Sequence, residues 1–219
     1  MIVKRGISFG DIHSWYDLGL ILSKVSIPAA KPKTNYIDIP GKDGSLDLSE
    51  VHGDIKYSDR ECIFTFTAAN SMSDSEWEAH KTMVCNALNG RAFRITLDKD
   101  PDYYYSGRCS VDDNSSNKRI RKIVIKAKVR PWKYKQTVTV NSFSLSSVLR
   151  EIEIMNARKK VCPTIECTHD DTTVVFGENA YTISAGTRKV LDIQFSEGSN
   201  VLLVSGQGTI TFTWQEADL

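Results

Sequence analysis

Pro32 to Leu48, PKTNYIDIPGKDGSLDL, sets the reading of the whole chain. Tyr36-Ile37-Asp38-Ile39 alternates apolar and polar residues, the period of a half-buried strand. Pro40-Gly41 ends that strand, and Asp43-Gly44 supplies a second tight turn with Gly where φ must be positive. Leu46 and Leu48 resume the alternation with Asp47 between them. The stretch is therefore a turn-rich hairpin, and it contains no catalytic chemistry. Upstream, Leu18 to Pro28 reads as an extended segment that Pro28 and Pro32 release into a long connection.

Outward from the hairpin, the first part of the chain mixes strands with one helix. The helix spans about 73–89: Ser73 and Glu76 make a capping box, Trp77, Val84 and Leu88 recur near helical period with Met83 and Ala87, and Asn89-Gly90 closes it. Cys62–Thr67 before it and Ala92–Leu97 after it are rich in β-formers. Tyr103–Cys109 follows across a turn expected at Asp100-Pro101-Asp102. Lys118 to Arg130 reads as a long strand with unlike faces, Ile123, Ile125, Ala127 and Val129 on one and Lys122, Lys126, Lys128 and Arg130 on the other. Pro131-Trp132-Lys133-Tyr134-Lys135 breaks the pattern and marks the expected domain boundary, giving domains 1–134 and 135–219.

Beyond the boundary the expectation is all β. Strands are predicted at Thr137–Val140, Glu151–Met155, Val161–Thr168, Thr172–Phe176, Ala180–Ile183, Lys189–Phe195, Asn200–Val204 and Thr209–Trp214. Their turn spacing is that of a β-sandwich. The fold class is mainly β, a barrel-like first domain with one helix followed by a sandwich.

The 219 residues suffice for a sizeable core without staples. No apolar run approaches the roughly 20 residues that cross a bilayer. Met1-Ile2-Val3-Lys4-Arg5 lacks the apolar stretch of a secretion signal, which predicts synthesis in the cytoplasm and no membrane partner. The five cysteines, Cys62, Cys85, Cys109, Cys162 and Cys167, are scattered and read as reduced, mostly buried thiols. Up to Lys135 there are 22 Lys and Arg against 17 Asp and Glu; after it, 6 against 10. Such asymmetry fits two domains with different partners.

Chemical motifs are weak throughout. On one strand Cys162 and Cys167 face opposite sides, so with His169 they make a poor metal set, and no second pair stands at zinc spacing. Asp98 to Asp102 mimics the start of a calcium loop, but Tyr103 stands where Gly is needed and Cys109 where a bidentate Glu belongs. His13, His52, His80 and His169 are widely separated, and no GxSxG, phosphate-loop or HExxH motif is present. No catalytic, cofactor-binding or metal residue is assigned. The basic strand with Tyr134 nearby is compatible with phosphate binding. Pairing with carboxylates or contact with another subunit at an exposed sheet edge explains it more simply. The subunit-contact candidates are Ile37, Ile39, Gly41, Asp43, Gly44 and Leu46 in the hairpin and Lys122, Lys126, Lys128 and Arg130 on the strand.

Tyr16-Asp17-Leu18-Gly19-Leu20-Ile21-Leu22, then Pro32 to Gly41 and Asp43-Gly44-Ser45-Leu46-Asp47, resembles the opening of the distal tail proteins of long, flexible-tailed bacteriophages and related prophages. Cys162-Pro163-Thr164-Ile165-Glu166, Glu197 to Leu202 and Gly208 to Phe212 are similar to the galectin-like sandwich that ends many of them. The resemblance implies a virion protein of the tail tip. Its first domain would close into a six-fold ring continuing the tail tube, and its second would project outward. The implied partners are further copies of itself, the tail tube protein, a tail-associated lysin or fibre, a receptor-binding protein, and DNA only in passage through the bore. The alternative implied by a galectin-like sandwich is a carbohydrate-binding module, with Trp214, Tyr181 and Phe176 as candidate platforms.

Overall fold

A computed structural model describes residues 6–51, 53–68, 70–112 and 121–219, and His52, Lys118 and Met1 to Arg5 fall outside them. Two compact units emerge, the first ending at Lys133 and the second comprising Tyr134–Asp218.

In the first unit the elements are β1 (Ile7–Phe9), β2 (Ile12–His13), β3 (Leu20–Ser26), β4 (Tyr36–Asp38), β5 (Ser45–Asp47), β6 (Arg60–Ala68), α1 (Asp74–Leu88), β7 (Ala92–Leu97), β8 (Asp100–Asp112) and β9 (Lys122–Lys135). Seven strands of an eight-stranded curled sheet follow in the order β2-β1-β7-β8-β9-β6-β3, and β4 and β5 pair only with each other. Alternation decides which face is buried. Cys62, Phe64 and Phe66 of β6 lie opposite Ala127, Ile125 and Ile123 of β9, and all six are buried. Each large apolar side chain so buried contributes about 1.5–3 kcal/mol. Phe9 meets Phe64 edge to face at 6.2 Å, and α1 adds Trp77, Val84 and Leu88 to the same core.

Helix α1 starts where its capping box places it: Ser73 N–H donates to Glu76 Oε2 at 2.7 Å and Glu76 N–H to Ser73 Oγ at 3.3 Å. Asn89 N–H donates to the Cys85 carbonyl and Gly90 follows with φ +74°. Met83 is exposed, because its position in the turn faces away from the stripe that Trp77, Val84 and Leu88 define.

Two boundaries differ from expectation. The turn between β7 and β8 is Asp98-Lys99, two residues earlier, since Leu97 pairs directly with Asp100. Pro131 does not end β9, which runs on to Lys135; the last β6 pair is Arg60↔Val129, so Pro131 lies beyond that ladder, where its missing N–H leaves no bond to β6 unmade.

The second unit holds β10 (Thr139–Ser144), β11 (Arg150–Asn156), β12 (Thr164–Cys167), β13 (Thr172–Phe176), β14 (Asn179–Ile183), β15 (Gly186–Arg188), β16 (Gly198–Ser205) and β17 (Thr209–Trp214). They build two four-stranded sheets, β10-β17-β12-β15 and β11-β16-β13-β14, around one core centred on Phe195. Phe195 touches Trp214 edge to face at 5.3 Å and Phe212 at 5.8 Å. The strand expected at Thr137–Val140 lies two residues later. Lys189–Phe195 is not a strand: Ile193 N–H turns back to the Val190 carbonyl, and Phe195 makes only an isolated bridge with Val161. Ile193 and Phe195 are buried, so core packing imitates the period of two without a ladder.

Candidate subunit interface

The segment between β3 and β6 leaves the sheet as a two-stranded arm. At its base Lys33 N–H donates to the Lys56 carbonyl at 2.7 Å, Ser58 N–H to the Lys31 carbonyl at 2.9 Å, and Tyr57 meets Trp132 edge to face at 5.5 Å. Further out, Leu48 N–H donates to the Asn35 carbonyl, and Ile37 faces Leu46 across β4 and β5. Ile39-Pro40-Gly41-Lys42 then closes as a turn, Lys42 N–H donating to the Ile39 carbonyl at 3.1 Å with Gly41 at φ +82°. This is the glycine position of a type II turn with Pro before it. Gly44 follows at φ +73°, with nothing around it.

The arm is not half buried. Tyr36 is 58% exposed, Ile37 46%, Leu46 41% and Ile39 40%, and no arm residue belongs to either core. An isolated two-stranded hairpin is marginal in water, so the exposed apolar residues of this one form a candidate interaction surface. Because side chains alternate, Ile37 and Leu46 share one face of the ribbon while Tyr36, Asp38, Ser45 and Asp47 share the other. Ser45 Oγ donates to Asp38, and Ser49 donates to Asp47 through both hydroxyl and backbone N–H. The Ser49 bonds hold the Asp47 carboxyl below the usual aspartate range, so it stays charged.

On the outer face of β9, Lys126, Lys128 and Arg130 join Arg108 of β8 around an open groove of about 860 Å³. Lys122 lies on the same face beyond the groove. Gly107 allows the close approach of β8 and β9: a Cβ there would stand 2.2 Å from the Lys128 carbonyl. Lys126 Nζ contacts Asp112 at 2.6 Å, whose hydrogen bond and charge raise its pKa, while Lys128 reaches Asp59 only at 3.8 Å with both side chains exposed. Lys122 and Arg130 have no ion-pair partner among the described residues. Sequence reasoning missed Arg108, although the Arg108-Cys109-Ser110 alternation around a buried cysteine was available to signal it.

The other polar groups serve the fold. His13 Nδ1 accepts from Trp15 N–H at 3.1 Å and its Nε2 faces Asp98 at 3.2 Å, while His80 stacks on Trp77. Asp98 also accepts from Gly6 N–H and Asp100 faces Lys133, so these carboxylates of the calcium-loop mimic are engaged elsewhere. All five cysteines are free; burial pushes the Cys62 thiol up to about 11 and Cys109 to about 12, far from a reactive thiolate. Among the described residues no three His, Cys, Asp or Glu side chains gather as a metal site, and no helix is long and apolar enough to cross a membrane. Trp214 is buried with its indole N–H on Asn156 Oδ1 at 3.0 Å, and Phe176 and Tyr181 pack against the core. Trp214 is a core residue, whereas Phe176 and Tyr181 are half-buried beside that core.

No protein-family model and no curated protein matches the sequence. Among solved structures, the fold is similar to the crystal structure of the Dit protein of phage SPP1, described as a paradigm of the hub adsorption apparatus in phages infecting Gram-positive bacteria. The TM-score is 0.70 at 14% identity, over 98% of this chain and 99% of that one.

Proposed function

We propose that this chain is a structural protein of a phage tail tip, a hub that joins the distal end of the tail tube to the tail-tip or baseplate proteins used in host adsorption. The observation that carries the reading is the fold likeness to the SPP1 hub protein across both units and essentially the full length of both chains. The exposed apolar arm adds to it, since a free monomer has no use for such a surface. The role is geometric rather than catalytic. Copies of the first unit close into a six-membered ring through a repeated heterologous contact, each burying more than about 1,000 Å². The second unit carries further attachments, to a tail-associated lysin or fibre or a receptor-binding protein, and DNA passes through the bore. The protein's place is the tail tip of the virion.

Light scattering and negative-stain electron microscopy of the purified full-length chain test this reading. Closed rings of six copies are the expected particles. A strict monomer at high concentration, together with antibody labelling of virions that leaves the tail tip bare, overturns it.

A further inference from the structure

We propose that the ring contact is made by the acidic face of the arm of one copy seated in the basic groove of the next, a deepening that rests on the ring reading above. The two surfaces are complementary in charge. Between Tyr36 and Glu50 the arm carries Asp38, Asp43, Asp47 and Glu50 against Lys42 alone. The groove presents Arg108, Lys126, Lys128 and Arg130 against Asp59 and Glu61.

Within one copy neither surface is satisfied by the other. Among the described residues no arm carboxylate from Asp38 to Glu50 pairs with a cation, and the groove's Arg130 has no ion-pair partner. Lys128 holds Asp59 at 3.8 Å with its side chain 76% exposed, so it is released at little cost.

Register selects which arm face docks. Asp38 and Asp47 stand on the same side of the ribbon, with Tyr36 beside them, and their Ser45 and Ser49 partners hold both carboxylates in place. This pre-set pair presents acceptors to Lys128 and Arg130, and Arg makes the stronger, two-pronged bond. The opposite face, Ile37 and Leu46, stays available for apolar cover. The arm also has the reach: seven residues separate Lys31 at its base from Asp38, at most about 25 Å of chain. The contact joins the arm of one copy to the groove of the next, two different surfaces of the same chain, so it is head-to-tail, and repetition about an axis closes it into a ring.

Charge reversal with reciprocal rescue tests the pairing. D38K/D47K and K128E/R130E change exposed residues only, and circular dichroism checks that each variant keeps the wild-type spectrum. Each variant alone is expected to remain monomeric under conditions in which wild type forms rings. An equimolar mixture is expected to recover rings of wild-type mass, because each reversed arm then meets a reversed groove and an even-numbered ring accommodates the alternation. A protein that merely failed to fold is not rescued by mixing. Wild-type rings with either variant assembling equally well alone, or with no recovery in the mixture of folded variants, overturn this contact and leave the ring reading standing. A wild type that never assembles, in solution or in the virion, overturns the ring and this contact with it.

Discussion

Strand β9 and the arm carry the same sequence pattern with opposite outcomes. Both alternate apolar and polar residues, yet Ile125 of β9 is fully buried while Ile37 of the arm is 46% exposed. Neighbours make the difference. β9 lies between β8 and β6 with Phe64 opposite Ile125, so its apolar face has a core to enter. Each arm strand has one partner strand, and among the described residues no side chain of β4 or β5 joins a core. Alternation reports that a segment is a strand; burial depends on what the rest of the chain brings to it.

That contrast breaks first on the core side. Ile125→Ala is expected to cost about 2–5 kcal/mol in urea unfolding, through lost transfer energy and the cavity left behind. Ile37→Ala is expected to stay within about 0.5 kcal/mol in the monomer while weakening assembly. Equal losses at both sites would mean that the arm is packed on its own unit after all.

Next, Gly44→Val forces a β-branched residue to φ +73°, costing on the order of 1–2 kcal/mol locally. Because the arm contributes nothing to either core, ring mass is expected to fall while the unfolding midpoint of the monomer barely moves. A matched loss of folded monomer would tie the arm to the fold.

The smallest effect belongs to the outer face of β9, whose cations lie outside the core. Lys126→Ala is expected to shift the unfolding midpoint far less than Ile125→Ala, since the half-exposed Asp112 pair is screened by solvent. The Asp112 hydrogen bond raises the Lys126 pKa, so its contribution is complete at neutral pH and lost as pH climbs past 10.5 through the raised value. Melting curves of wild type and variant should converge over that range.

The sequence carried the parts that local rules control. Ser73 and Glu76 announced the start of the helix, the β9 alternation sorted inside from outside, and Pro40-Gly41 marked the arm's turn. The misses share one cause, tertiary neighbours invisible to a local window. The buried Ile193 and Phe195 imitated a strand because the core, not a ladder, imposed their spacing. Pro131 looked like a break because nothing local shows that the β6 ladder stops two residues earlier. The groove was half legible: Lys126, Lys128 and Arg130 stood out on one strand, whereas Arg108 joins them only through the β8 and β9 pairing that Gly107 permits.

Arg60 gives the arm a mechanical character. It is buried at the start of β6, its guanidinium donating to the carbonyls of Pro28 and Pro131 and lying over the Tyr105 ring at 5.4 Å. Pro28 is where the chain departs toward the arm, and Ser26 and Ile63 are already paired across β3 and β6. A pull on the tip therefore loads β3 and β6 side by side, and the Arg60 guanidinium ties the carbonyl at Pro28 to that of Pro131 on β9. Hydrogen bonds loaded together in this way resist far more force than bonds peeled one at a time, so tension applied at the tip would be borne by the sheet rather than by the arm.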